Sequence, residues 1–127
     1  MSVLLGAWRL ESWSYLYEDG RSPEFPMGAD ARGYILYTPQ GHVSATIMRA
    51  NGSECFAYAG RYEIADGAVF HNIEVSTNQA LVGLRSTRHI KLDGDRLTLS
   101  GPDFAAGTAR TQQIVWRRIK TTRQTEQ

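Results

Sequence analysis

Two residues three apart in the segment VFHNIEVST (69–77), His71 and Glu74, carry side chains suited to proton transfer. An imidazole changes charge near neutral pH, and a carboxylate beside it can orient it or share its proton, so the pair raises the question of a catalytic dyad. The segment is rich in Val and Ile and reads as a β-strand. Strand side chains alternate between faces, so a spacing of three puts the two groups on opposite sides. Only one of them can enter the interior.

Two Asp-Gly turns decide which. A two-residue hairpin loop fixes the residues that face each other. With Asp66-Gly67 as the loop, Ala65 pairs with Ala68, Tyr62 with His71, Ile64 with Val69 and Tyr58 with Val75. Val69, His71, Ile73 and Val75 then form an apolar face, while Phe70, Asn72, Glu74 and Ser76 face water. With Asp93-Gly94 as the second loop, Arg88 faces Leu99, Ile90 faces Leu97 and Leu92 faces Asp95. Leu84, Ser86, Arg88 and Ile90 share the inner face, and Arg85, Thr87, His89 and Lys91 the outer one. Across the intervening loop NQAL, the pairing that keeps both apolar faces together sets His71 opposite Arg88, and slips of two residues either way keep the faces as well. The expectation is an inner polar row of Tyr62, His71 and Arg88, with neighbouring Cβ atoms about 5 Å apart.

The strands that must carry this row lie near 6–17, 33–38, 42–49, 57–64, 68–77, 83–92, 95–100 and 108–119, separated by the turn signals EDGR, TPQG, ADGA and LDGD. About eight consecutive strands with short links predict an all-β, antiparallel up-and-down barrel with an internal cavity, because closure removes exposed edges. A sandwich is the alternative. Val43, Ala45 and Ile47 are expected inside with Tyr34 and Leu36 beside them, and Trp8, Leu10, Ser12 and Ser14 line the first strand. The last strand, ARTQQIVWRR, is mixed on both faces and leaves Trp116 unassigned. The longest connection, GRSPEFPMGADARG, is expected to cross one mouth as a lid. Residues 1–120 read as a single domain and 121–127 as a polar tail that frays.

A net charge of +1, with basic residues scattered along 127 positions, argues against nucleic-acid or membrane-surface binding. No run reaches the roughly 18 apolar residues of a membrane span. The lone Cys55 cannot form an internal disulfide and no leader-like segment opens the chain, so the expected location is cytoplasmic. His42, His71 and His89 do not converge under the parity above, and no metal or other cofactor is expected. Trp13, Tyr15 and Tyr17 share the outward face of the first strand and favour a homodimer.

An interior holding Tyr58, Tyr62, His71, Ser86 and Arg88 must supply a partner, water or an anion to the buried charge. Barrels of about eight strands hold one small ligand, so a partly wet cavity accommodates these groups. The first functional reading is a binding module for a small, largely apolar molecule with an anionic or carbonyl end. Arg88 and Tyr62 would hold that end, and Ile73, Val43, Tyr34, Tyr58, Ser86, Ser12 and Ser14 would complete the wall. The second is a cofactor-independent isomerase, cyclase or dehydratase for a polyketide-like or terpenoid-like compound. There His71 would move a proton while Arg88 and Tyr62 stabilise an enolate.

GAWRLESW, which begins the first strand, resembles the Gly-x-Trp signature of lipocalins, in which the tryptophan packs at the closed end of the barrel. RGYILYTPQGHVSATIMR, AYAGRYEI, HNIEVS and LDGDRLTLSGP, ending in IVWRR, resemble the bacterial and fungal lipocalin-like domain proteins over nearly the whole chain. The resemblance implies a calycin-type barrel. Many members carry a longer, partly helical insertion where ANGSECF stands here, so no lid is implied from that side. It implies no defined catalytic set either, since such barrels include carriers and cofactor-free cyclases or isomerases.

Overall fold

The computed structural model describes residues 3–102 and 110–120. Eight antiparallel strands follow one another around a closed barrel: β1 (Gly6–Tyr17), β2 (Arg32–Tyr37), β3 (His42–Met48), β4 (Cys55–Ala65), β5 (Ala68–Ser76), β6 (Arg85–Asp93), β7 (Arg96–Pro102) and β8 (Arg110–Arg118), with β8 pairing back onto β1. A single 3₁₀ turn, Gln79–Leu81, lies between β5 and β6. No helix among the described residues is long and apolar enough to cross a membrane. The polar tail expected from Thr121 lies outside the described residues.

Turn chemistry sets the registers. Asp66 and Gly67 both have positive φ, 52° and 76°, the demand of a type I′ hairpin, and Tyr62 pairs with His71 as expected. The second hairpin differs. Its central residues are Gly94 and Asp95, with only Gly94 at positive φ, so Asp93 pairs with Arg96 and Ile90 with Leu99. Glycine at the first central position is the type II′ requirement, which shifts the pairing by two residues without turning a face. Across β5 and β6 the observed pairs are His71 with Ser86 and Val69 with Arg88. The inner row is therefore Tyr62, His71 and Ser86, and Arg88 lies one inner step away.

Two bulges reverse faces that simple alternation assigns otherwise. In β1 the register shifts between Leu10 and Ser12, leaving Glu11 as the extra residue. Arg96 and Arg117 hold the Glu11 carboxylate at 3.2 and 2.7 Å, and the Arg117 hydrogen bond draws its pKa down. Beyond the bulge Trp13 and Tyr15 turn inward, so Ser12 and Ser14 leave the interior face; Ser14 Oγ donates instead to the Gln113 carbonyl. Two of the three aromatics behind the expected subunit contact thus line the cavity. The second bulge, in β5, pairs Gly60 with Ile73 but Ala59 with Val75, so Tyr58 opposes Ser76 and Val75 is 61% exposed. A Cβ on Gly60 would stand 1.9 Å from the Asn72 carbonyl oxygen, which is why the close approach takes glycine.

In β2 the faces are the reverse of the expectation. Ile35 and Tyr37 are buried, while Tyr34 and Leu36 are exposed. The cause is the hairpin to β3, in which Tyr37 pairs with the inward Val43. Val43, Ala45 and Ile47 are all buried, as expected.

Candidate functional site

One half of the barrel is filled and the other is hollow. In the filled half Leu4 and Trp8 are fully buried, and Tyr37, Val43, Val69 and Leu97 pack near them. In the hollow half a cavity of about 320 Å³ is lined by aliphatic groups from Ala45, Ile47, Ile73 and Ile114 and by the rings of Trp13, Phe56, Tyr58 and Trp116. Its volume lies at the lower end of the roughly 300–1,000 Å³ usual for small-molecule sites.

The segment before β2 reaches over the opening, with Pro26 and Met27 on the cavity wall. It is tied on one side by paired backbone hydrogen bonds between Tyr15 and Glu24, and on the other by Arg49 Nη2 donating to the Pro26 carbonyl at 3.1 Å. Arg49 also holds the rim carboxylate of Glu54 at 2.5 Å. The position expected of this segment is the one observed.

His71 stands at the floor, between the two halves. It is 1% exposed, with Tyr37 Oη 2.7 Å from Nε2 and Tyr58 Oη 2.8 Å from Nδ1. Burial, helped by the Arg88 charge, pushes its pKa down to about 3, so the ring is neutral at physiological pH. Burial pushes the Tyr58 hydroxyl up to about 12, against the Arg88 charge, and raises Tyr37 well above its ordinary value. Both phenols therefore keep their protons. Tyr62, His71's cross-strand neighbour, does not bond to it: its hydroxyl donates to the Thr38 carbonyl at 3.0 Å and its ring meets Tyr37 edge-on. Glu74 is on the solvent side, 3.6 Å from Arg61, so it forms no dyad with His71.

Arg88 is half-buried and lines the cavity. Its Nη1 donates to the Thr87 carbonyl at 3.0 Å, and its side chain lies across Gly101, where a Cβ would meet Nη1 at 3.1 Å. Ser86 also lines the cavity and is 6% exposed. Among the described residues, Ser86 Oγ and Trp116 Nε1 are buried polar side-chain atoms with no hydrogen-bond partner. Both residues contribute to the cavity wall, but these two atoms are themselves covered, and an unpaired buried polar group costs about 1–3 kcal/mol.

Of the residues expected at the site, Tyr58, Ile73, Ser86 and Arg88 come together on the cavity wall, and His71 supports Tyr58 from below. Tyr62 and Val43 belong to the packed half, while Tyr34, Ser12 and Ser14 do not face the cavity. Sequence reasoning missed Tyr37, Trp13 and Trp116. A three-residue loop Pro39-Gln40-Gly41, with Gly41 at φ 90°, pairs Tyr37 with Val43 and was the available signal for the first. Trp116 becomes readable only through its partners Leu10 and Leu97, both inward.

The model of the lipocalin-like domain family matches residues 5–55 and 50–119. The chain belongs to the lipocalin-like domain family. A lipocalin-like protein from Bacteroides uniformis ATCC 8492, known from a crystal structure, is similar to it at 20% identity, over 91% of this chain and 98% of that one, with a TM-score of 0.56. At that identity the likeness concerns the fold. Comparison with curated proteins gives no match.

The lipocalin-like character is clearest at the closed end. Trp8, of Gly6-x-Trp8, donates from Nε1 to the Leu4 carbonyl at 3.0 Å, and the Arg118 guanidinium lies 4.2 Å from its ring centroid. Arg118 also donates to the carbonyls of Leu5 and Val3, tying the N-terminal segment across the barrel floor.

Proposed function

We propose that the protein binds a small, largely apolar molecule with an anionic or carbonyl end inside the barrel. The observation that carries this reading is the cavity of about 320 Å³ in the hollow half, walled mainly by aliphatic and aromatic side chains with Arg88, Ser86 and Gln112 among them. A ligand's apolar body gains about 25 cal/mol for each Å² it removes from water, and its polar end satisfies the wall. The Pro26–Met27 segment would cover the bound molecule.

A cofactor-free isomerase or cyclase in the same cavity would need a wall group that exchanges protons near neutrality. His71 is the residue chemically suited to this, yet it lies behind Tyr58 with both nitrogens engaged and its basicity suppressed. Those features favour the binding reading.

Native mass spectrometry of the protein as purified tests the proposal. A co-purifying or added small molecule is expected to give a one-to-one adduct that is lost in Ala45→Phe, where a ring fills the cavity. An adduct that survives this substitution would place the ligand elsewhere.

A further inference from the structure

The guanidinium groups of the barrel are almost all held by acceptors of the chain itself. Among the described residues, seven arginines pair with carboxylates, and Arg88 and Arg118 donate to backbone carbonyls. Arg9 and Arg32 differ. Arg9 donates to the Tyr34 hydroxyl at 3.2 Å and lies 5.2 Å from the centroid of that ring. Neither it nor Arg32 meets a carboxylate among the described residues.

These two arginines stand together. β1 and β2 pair only from Gly6–Arg9 against Tyr34–Tyr37, and beyond that β1 runs on to Tyr17 against β8. Where the two strands part, a hollow of about 460 Å³ opens on the outer surface. The exposed side chains of Arg9, Arg32, Tyr34 and Thr46 surround it, and the buried Leu10 and Ala31 also form part of its wall. Arg9 is opposite Tyr34, and Arg32 lies two residues along the same face of β2, so the arginines are diagonal neighbours with Cβ atoms about 7 Å apart. Side chains as long as theirs can reach one guest from that spacing. The hollow shares no wall residue with the barrel cavity.

We propose that this hollow is a second binding site, for the phosphate group of an organic phosphomonoester. Two cations held close repel each other, and an anion between them removes that cost. A phosphomonoester carries a charge of about −1.5 to −2 at pH 7, which matches two guanidiniums, whereas a carboxylate neutralises one. Its oxygens suit the planar fork of arginine. Tyr34 O–H, left over when Oη accepts from Arg9, and the Thr46 hydroxyl are further donors at the same place. Leu10 and Ala31 offer the ester's carbon portion an apolar surface.

A ¹H–¹⁵N NMR titration with phenyl phosphate tests it. The amides of Arg9, Gly33, Tyr34 and Thr46 are expected to shift saturably, and benzoate to bind about tenfold more weakly, the worth of a charge-assisted hydrogen bond. Arg9→Gln and Arg32→Gln, both at exposed positions, should each weaken phenyl phosphate about tenfold and leave the melting temperature unchanged. Sedimentation with phosphatidic-acid vesicles but not with phosphatidylcholine vesicles, lost in Arg32→Gln, would make the ester a lipid head group. Phenyl phosphate binding without sedimentation would make it a soluble molecule. The site is overturned by the absence of a saturable shift, by affinities unchanged in both variants, by benzoate binding equally well, or by shifts centred on Tyr58 and Ile73. Because the two hollows share no wall, each of these failures leaves the reading of the cavity standing.

Discussion

Trp8 and Trp116 are the two most deeply buried tryptophans, 0% and 1% exposed, and they differ in one atom's fate. Trp8 Nε1 has a carbonyl partner and its ring is covered by Arg118, while Trp116 Nε1 has no partner and its ring borders empty space. The closed end thus engages its tryptophan N–H in the fold, and the hollow end leaves that of Trp116 unpaired.

Replacing each tryptophan breaks the comparison most forcefully. Trp8→Ala is expected to cost about 3–5 kcal/mol in urea unfolding, from lost packing and an orphaned Leu4 carbonyl. Trp116→Phe forfeits no hydrogen bond and should cost less than about 1.5 kcal/mol. Equal losses would mean that the hollow end is as structural as the closed one.

His71 lies on the boundary between the two ends and should betray itself in acid. Its pKa falls from 6.5 to about 3 on folding, so the unfolded chain takes up its proton first. The stability it contributes is complete above pH 6.5 and declines as pH falls towards 3, by up to about 1.4 kcal/mol per pH unit. The carboxylates with lowered pKa, Glu11, Glu63 and Asp19, act below 4.5, so the interval from 6.5 to 4.5 isolates the histidine. His71→Gln should flatten the profile there, and a slope unchanged by the substitution would move the cause elsewhere.

The smallest effect is expected at Ser86. Ser86→Ala removes an unpaired hydroxyl and should leave the unfolding free energy within about 0.5 kcal/mol of the parent, or raise it. A loss of more than about 1 kcal/mol would show that Oγ has a partner in solution.

Much of this was legible in the sequence, and the failures have physical causes. Barrel closure, the Tyr62–His71 pairing and the outward Glu74 follow from strand count and a type I′ turn. The bulges at Glu11 and Glu74 do not, because each is settled by contacts remote in sequence: Arg96 and Arg117 clamp the first, and the approach of Gly60 to Asn72 permits the second. One extra residue in β1 moved Trp13 and Tyr15 into the cavity and took Ser12 and Ser14 out of it. The Asp93-Gly94-Asp95 stretch offered two adjacent turn registers, and the glycine's place in the turn decided between them. In β2, with an aromatic and an aliphatic residue on each face, periodicity carries no preference, and only pairing to Val43 settles that Tyr37 is inside.

The most direct measurement follows the indole N–H resonances while octanoate is titrated into the protein. The account predicts that the Trp116 indole signal shifts saturably, with the one-to-one stoichiometry of a single cavity, while the Trp8 signal stays where it was. Binding that leaves Trp116 unmoved, or that moves Trp8 as far, would contradict it.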